Sequence, residues 1–516
     1  MQRNKFVVYF CLLVLSQPAA LYSVAVAVQE TEAGAAAERI VQEESSDAAS
    51  KAQEDQEAIA PITLNEKATG FRGIWYMNQP SNDEYRYKYS GGMGTYCAKH
   101  RPFAIYSPEV QKTFFCYGGS KPDNDRALVH MVSCFDHKTG MLARPTILLD
   151  KRTGDAHDNP VISMDEAGYV WIFSTSHGRA RPSYVHRSTK PFDIETFERV
   201  PATYVTDQGE TVPLDNFSYM QIWQRPGSGF HAFFTRYDYP AARTICYMSS
   251  QDGVTWSRWQ RLAAMEAGHY QVSFVGRQKM GTAFNMHPAD KGLNWRSNLY
   301  YVESSDGQTW TSVEQTPLEM PLTERDTPAL VRDFIAEERL VYLKDLKYDQ
   351  EDHPILLYLV SQSYQSGPQD PARQWMLSRW TGEQWEHSLV TESDNNYDMG
   401  ELWLEAEDRW WILAPTDVGP QAFNPGGEVV AWFSADQGRT WQRQRKMTAA
   451  SERNHTYVRN VLHAAPEFVA VWADGHGRQP SESRLYFSNA AGDVFQMPVD
   501  MGEESWKAAL QIQANQ

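Results

Sequence analysis

Three short stretches of this 516-residue chain repeat one turn chemistry: SQDGVTW ending at Trp256, SSDGQTW ending at Trp310 and SADQGRTW ending at Trp441. In each, Ser and Asp stand two residues apart to close a tight hairpin, Gly supplies a left-handed backbone, and Trp plugs the space between sheets. Such a turn, the Asp box, belongs at the tip of an antiparallel hairpin, so its recurrence implies a stack of similar four-stranded units. The chain is expected to be all-β, a β-propeller. These turns sit on the rim, away from the axis where ligands bind, and leave function open.

Weaker turns of the same character extend the series: FDHKTG near Lys138, RSTKPFD near Pro191, RWTGEQW near Thr381 and SNAAGD near Ala490. With Asp252, Asp306 and Asp436 they predict seven blades. A second ladder gives the same count. Innermost strands are expected after His100, His157, Tyr219, His269, Asp326, Tyr397 and His455, each with a polar or aromatic start and an apolar continuation. Second strands follow, among them YVWIFSTSHG, GFHAFFTRYD, MGTAFNMHP and LVYLKDLKY. First and second strands form antiparallel hairpins, so the start of one and the end of the other share a face of the disc.

The ends of the chain read differently. Arg3 and Lys5 precede an apolar run to Leu15 too short to span a bilayer, and Ala25-Val26-Ala27 offers a small-residue cleavage site. Residues 1–27 are therefore expected to be a signal peptide cleaved near Ala27. Cys11 lacks the preceding small residue of a lipoprotein signal, so the mature protein is expected to be secreted or periplasmic. Residues 28–63 are rich in Ala, Glu, Gln and Ser and are read as a disordered acidic linker. Between Val28 and Ala60 they hold nine acidic and two basic residues, a net −7 of the formal −17, so overall acidity says little about the binding face. Residues 64–499 are assigned to the propeller and 500–516 to a tail. No nucleic-acid or membrane partner is expected, and the protein is read as a monomer. Four cysteines follow the signal, Cys97, Cys116, Cys134 and Cys246; their spacing fits no metal motif, and both bridging and buried thiols stay open.

Hairpin geometry gathers His157 and His177, Tyr219 and Arg236, and His269 and His287 from three adjacent blades. Arg236 can hold a carboxylate, and His and Tyr can exchange protons with a carbon acid and its leaving group. His157, His177, Tyr219 and Arg236 are the catalytic candidates. Lys99, His100, Asn159, His269, Tyr270, His287, His455, Arg459 and His476 are candidate substrate contacts, and Lys344 is a further polar channel residue. Simple lining of a hydrated channel is the competing account of these. No cofactor is required, although His269 and His287 would suit a structural zinc ion.

At these residues the sequence resembles the BNR-repeat propellers, of BNR_4 type, that include ulvan lyases and related lyases acting at rhamnose-uronate linkages. The likeness covers residues 66–499. It implies a seven-bladed propeller that cleaves an anionic, uronic-acid-containing polysaccharide by β-elimination, with two histidines, a tyrosine and an arginine at the centre of one face. Those positions match His157 in DAHDNP, His177 in STSHGR, Tyr219 in FSYMQ and Arg236 in FFTRY. Blades five to seven give no residue-by-residue match, so the sugar sequence stays open. The chemistry asks for a cation to neutralise the carboxylate beside C5, a base for the C5 proton and an acid for O4. Arg236 is read as the cation, Tyr219 and His157 both as candidates for the base, and His177 as a support for the acid. Two other classes stay in view: a glycoside hydrolase on the same propeller, α-L-rhamnosidase-like or sialidase-like, and a non-catalytic carbohydrate-binding propeller.

Overall fold

A computed structural model describes residues 63–93, 99–179, 181–237 and 243–512. The expected signal peptide, nearly all of the linker, and Cys97 lie outside the described residues. Those described are all-β, and no helix among them is long and apolar enough to cross a membrane.

The chain builds successive antiparallel meanders. Their first strands are Ala104–Ser107, Pro160–Met164, Ser218–Arg225, Gln271–Val275, Leu340–Tyr348, Glu401–Ala406 and Asn454–Ala465, and each pairs with the strand that follows it. First strands of consecutive meanders are also neighbours in space, and the last returns to the first through the Leu462–Ile105 pairing. They therefore close a ring, with the polar starts of the strands at one end and the hairpin turns at the other.

The repeated turns explain why the sheets stack. Ser250 Oγ accepts from the backbone N of Gly253 at 2.9 Å, while Asp252 Oδ1 accepts from Val254 and Thr255 at 2.9 and 2.8 Å. Gly253 needs its φ of +72°, and a Cβ there would meet the Trp171 ring at 2.7 Å. The turns at Asp306 and Asp436 repeat this pattern. Each delivers its Trp to a seam. Trp256 packs on Phe173 and Phe230 between the second and third sheets, and Trp310 on Phe233 and Tyr247 between the third and fourth.

Two features differ from the sequence reading. The stretch after Asp326 is not an innermost strand: Leu330–Arg332 is the fourth strand of the preceding sheet, and LVYLKDLKY, expected as a second strand, is the innermost one. The segment after Trp310 makes a long excursion before that fourth strand pairs, which displaced the count by one strand. Cys116, Cys134 and Cys246, for which bridging and burial were both open, are buried and form no disulfide with one another. In the segment read as a tail, Trp506–Ala508 pairs with Met141–Ala143 of the first sheet and Leu510–Ile512 with Val494–Gln496 of the last.

Candidate active site

The turn before Pro160–Met164 places a carboxylate between two imidazoles. His157 donates from its backbone N and from Nδ1 to Asp155 Oδ1, at 3.0 and 2.6 Å. His177, just past the Val170–Ser174 strand, donates from Nδ1 to Asp155 Oδ2 at 3.0 Å. The two rings stack with centroids 4.3 Å apart. Arg181 braces the turn, reaching Asp155 Oδ2 at 3.2 Å and Asp158 Oδ2 at 2.8 Å.

Burial alone would raise the Asp155 carboxyl, but His157 and His177 hold it well below the ordinary carboxylate range. An ionised carboxylate only accepts, so Nδ1 of each imidazole carries a hydrogen and Nε2 of the neutral ring keeps its lone pair. Burial also lowers the pKa of His157, with Asp155 opposing. At neutral pH His157 is thus an oriented neutral base.

Tyr219 faces this pair. Its ring centroid lies 6.2 Å from His157, 6.1 Å from His177 and 5.3 Å from His100. The residue has a φ of +50° where the register slips between Ser218 and Gln221. A bulge of this kind re-aims a side chain at the cost of local strain, about 1–3 kcal/mol. Burial, then Tyr237 and Tyr270, push the Tyr219 phenol well above its usual range, while Arg243 opposes. Tyr219 therefore keeps its proton and is equipped as an acid. Tyr237 donates to its oxygen at 3.4 Å.

Cations surround the rings on the other side. Arg243 lies 5.4 Å from the Tyr237 centroid and 5.5 Å from that of Tyr270; Arg296 lies 4.7 Å from Tyr270 and from Tyr342. Lys99 is pushed well below the lysine range by burial and by Arg296, Lys344 and other cations. This is a region of positive potential suited to an anion.

The sequence-derived candidates divide on this map. His157, His177, Tyr219, His100, Tyr270 and Lys99 share the ring cluster, and His287 joins it against Tyr270 at 5.2 Å. Asn159 is fully buried beside it, its backbone oxygen accepting from Thr175 Oγ1. Arg236 points its guanidinium to Trp259 and Tyr204, at 4.6 and 5.9 Å from their centroids. His269 is pinned by the backbone at both nitrogens, Met265 N donating to Nε2 and Nδ1 donating to Asn285 O. His455 is held likewise by Ser451 and Trp472. Arg459 pairs with Glu401 at 2.6 Å. His476 Nδ1 accepts from the backbone of Arg478, and Lys344 donates to Asn396 O. The sequence reading passed over Asp155, Tyr237, Arg243 and Arg296. Asp155 had a signal, standing two residues ahead of His157; the arginines had none, because their convergence depends on the ring of strands.

A zinc ion on His269 and His287 does not fit, since both nitrogens of His269 are engaged. Among the described residues, the group with ligand atoms close enough to share an ion is Asp155, His157 and His177, within 4.8 Å of one another. There the Nδ1 hydrogens already satisfy the carboxylate and Arg181 adds positive charge, so the trio as arranged does not suit a divalent cation.

Residues 131–393 match the model of the BNR repeat-containing family. The chain belongs to that family. A curated relative, the ulvan lyase of Nonlabens ulvanivorans, is 24% identical over 418 residues, covering 71% of this chain and 81% of that protein. Among solved structures, an ulvan lyase described as a new polysaccharide lyase family, PL25, superposes with a TM-score of 0.59 at 16% identity, covering 83% of this chain and 96% of that one. A second structure of a PL25 ulvan lyase, bound to -[GlcA(1-4)Rha3S]-, matches with the same TM-score at 15% identity. The family member thus shares the β-propeller fold of these lyases.

Proposed function

We propose that this protein is a secreted or periplasmic polysaccharide lyase that cleaves an anionic, uronic-acid-containing polysaccharide of the ulvan, rhamnose-uronate type by β-elimination. The meanders are read as seven blades of one propeller, with the site at the polar end of blades two to five. One observation carries the reading: a neutral imidazole oriented by Asp155 stands beside a phenol that keeps its proton, under a group of guanidiniums.

The uronate carboxylate lies against Arg243, with Arg296 behind it, so the charge that develops after C5 loses its proton is stabilised where it forms. Arg243 takes this part ahead of Arg236, because it lies against Tyr237 and Tyr270, the rings that pack on His177 and Tyr219. Nε2 of His157 accepts the C5 proton. The C4–C5 double bond forms as the C4–O4 bond breaks, and Tyr219 gives its proton to O4. The site resets when the imidazolium returns its proton to the phenolate. His177 and Tyr237 hold the pair in place, and no cofactor takes part in this sequence.

Mass spectrometry of the products tests the reaction class. Elimination leaves a fragment 18 mass units lighter than the hydrolytic one, and this is the expected result with ulvan. Fragments that have gained water would establish a glycoside hydrolase. Binding without any fragment, across a panel of uronate polysaccharides, would establish a binding module.

A further inference from the structure

The other end of the ring carries a cavity that the proposed reaction does not use. It has a volume of about 470 Å³ and is lined where the innermost strands finish, by Trp223, Phe274, Trp403, Arg459 and Asn460 among others. Its floor is a buried ion network. Arg101 pairs with Asp345 at 2.5 Å and with Glu401 at 3.3 Å, Arg459 pairs with Glu401 at 2.6 Å, and Lys347 lies 3.7 Å from Asp345. Three cations face two carboxylates there. Glu405 at the rim does not restore the balance, because Arg409 holds it at 2.9 Å.

The network also leaves hydrogen-bonding capacity unused. Arg459 is 1% exposed, yet its Nε and Nη2 have no partner, and neither polar atom of the Asn460 side chain has one. Native interiors rarely leave such groups unpaired. Adjacent N–H groups on one edge of a guanidinium match the two oxygens of a carboxylate or sulfate, an amide can both donate to and accept from a hydroxyl, and indole and phenyl walls suit the C–H face of a sugar ring.

We infer that this cavity is a second, non-catalytic site for a sugar carrying one carboxylate or sulfate, with the anion on Arg459, a ring hydroxyl on Asn460 and the ring against Trp403. A uronate end of the polysaccharide, or of a released fragment, is such a group; this choice of sugar rests on the proposed lyase activity, whereas the site itself rests on the network.

Calorimetric titration of the full mature chain with glucuronate tests it, and glucuronate needs no turnover, so the result stands even if the lyase reading fails. The Arg243→Ala variant is used to weaken the catalytic face. Glucuronate is expected to bind this variant at one site, and Asn460→Leu or Trp403→Ala added to it is expected to weaken that binding about tenfold or more, with unfolding curves showing that both variants fold. A glucose sulfate that binds as glucuronate does identifies the anion as either group; one that does not restricts it to carboxylate. No binding to the Arg243→Ala variant, equal affinity for acetate, or affinity unchanged by both added substitutions would overturn the proposal.

Discussion

At the scale of residues, His157 and Tyr219 are assigned different roles by their surroundings. Burial lowers one group and raises the other, so both hold the protonation states that the proposed reaction needs across a broad neutral range. If His157 is the base, kcat/KM falls only as pH drops below about 6.5, the ordinary imidazole value, and does not climb toward pH 10 as a tyrosinate base would require. Asp155→Asn removes the ionised acceptor that fixes both imidazoles, and it is expected to lower kcat by about 10²-fold or more with a smaller change in KM; steady-state kinetics against pH check both statements. His157, His177 and Tyr219 were legible in the sequence, because each sits next to a strand whose alternation shows which end is polar. Arg243 and Arg296 were not. A guanidinium's reach lets it join a cluster from almost any nearby position, and only the three-dimensional ring shows that it does.

Among elements, the hairpin turns were the most legible, since their chemistry is local. Ser250, Asp252 and Gly253 satisfy one another within a few residues, so sequence spacing alone specifies them. The strand order around Asp326 was not local and was misread there: whether Leu330–Arg332 pairs backward or begins a new sheet depends on the partner it finds. The turn also has a stabilising role beyond its own hydrogen bonds, through the Trp it positions. Trp256 is 1% exposed between two sheets, and Trp256→Ala is expected to destabilise the fold by about 3–5 kcal/mol. Denaturant unfolding, with the slope unchanged, measures that loss.

For the whole molecule, closure of the ring depends on residues far apart in sequence. The chain's last described strands, Trp506–Ala508 and Leu510–Ile512, pair with the first and last sheets, and nothing in their composition distinguished them from a polar tail. The polar interior has a consequence for stability. Burial lowers His130, His157, His269, His287 and His455, with His269 at about 4. In the unfolded chain these groups take up protons near pH 6.5, so between there and pH 4 the unfolded state binds more protons and folding stability falls as pH falls. For His269 alone the loss is about 3 kcal/mol. Thermal unfolding is therefore expected at progressively lower temperatures from pH 7 to pH 5. The account as a whole stands on elimination at the His157–Tyr219 pair. Ultraviolet absorbance during digestion of ulvan tests this most directly: the wild-type protein is expected to generate the signal of a conjugated uronate, His157→Ala and Tyr219→Phe to lose it, and Arg243→Ala to lose more of it than Arg236→Ala. A signal that survives both His157→Ala and Tyr219→Phe, or polymer cleavage by the wild-type protein with no absorbance at all, would contradict it.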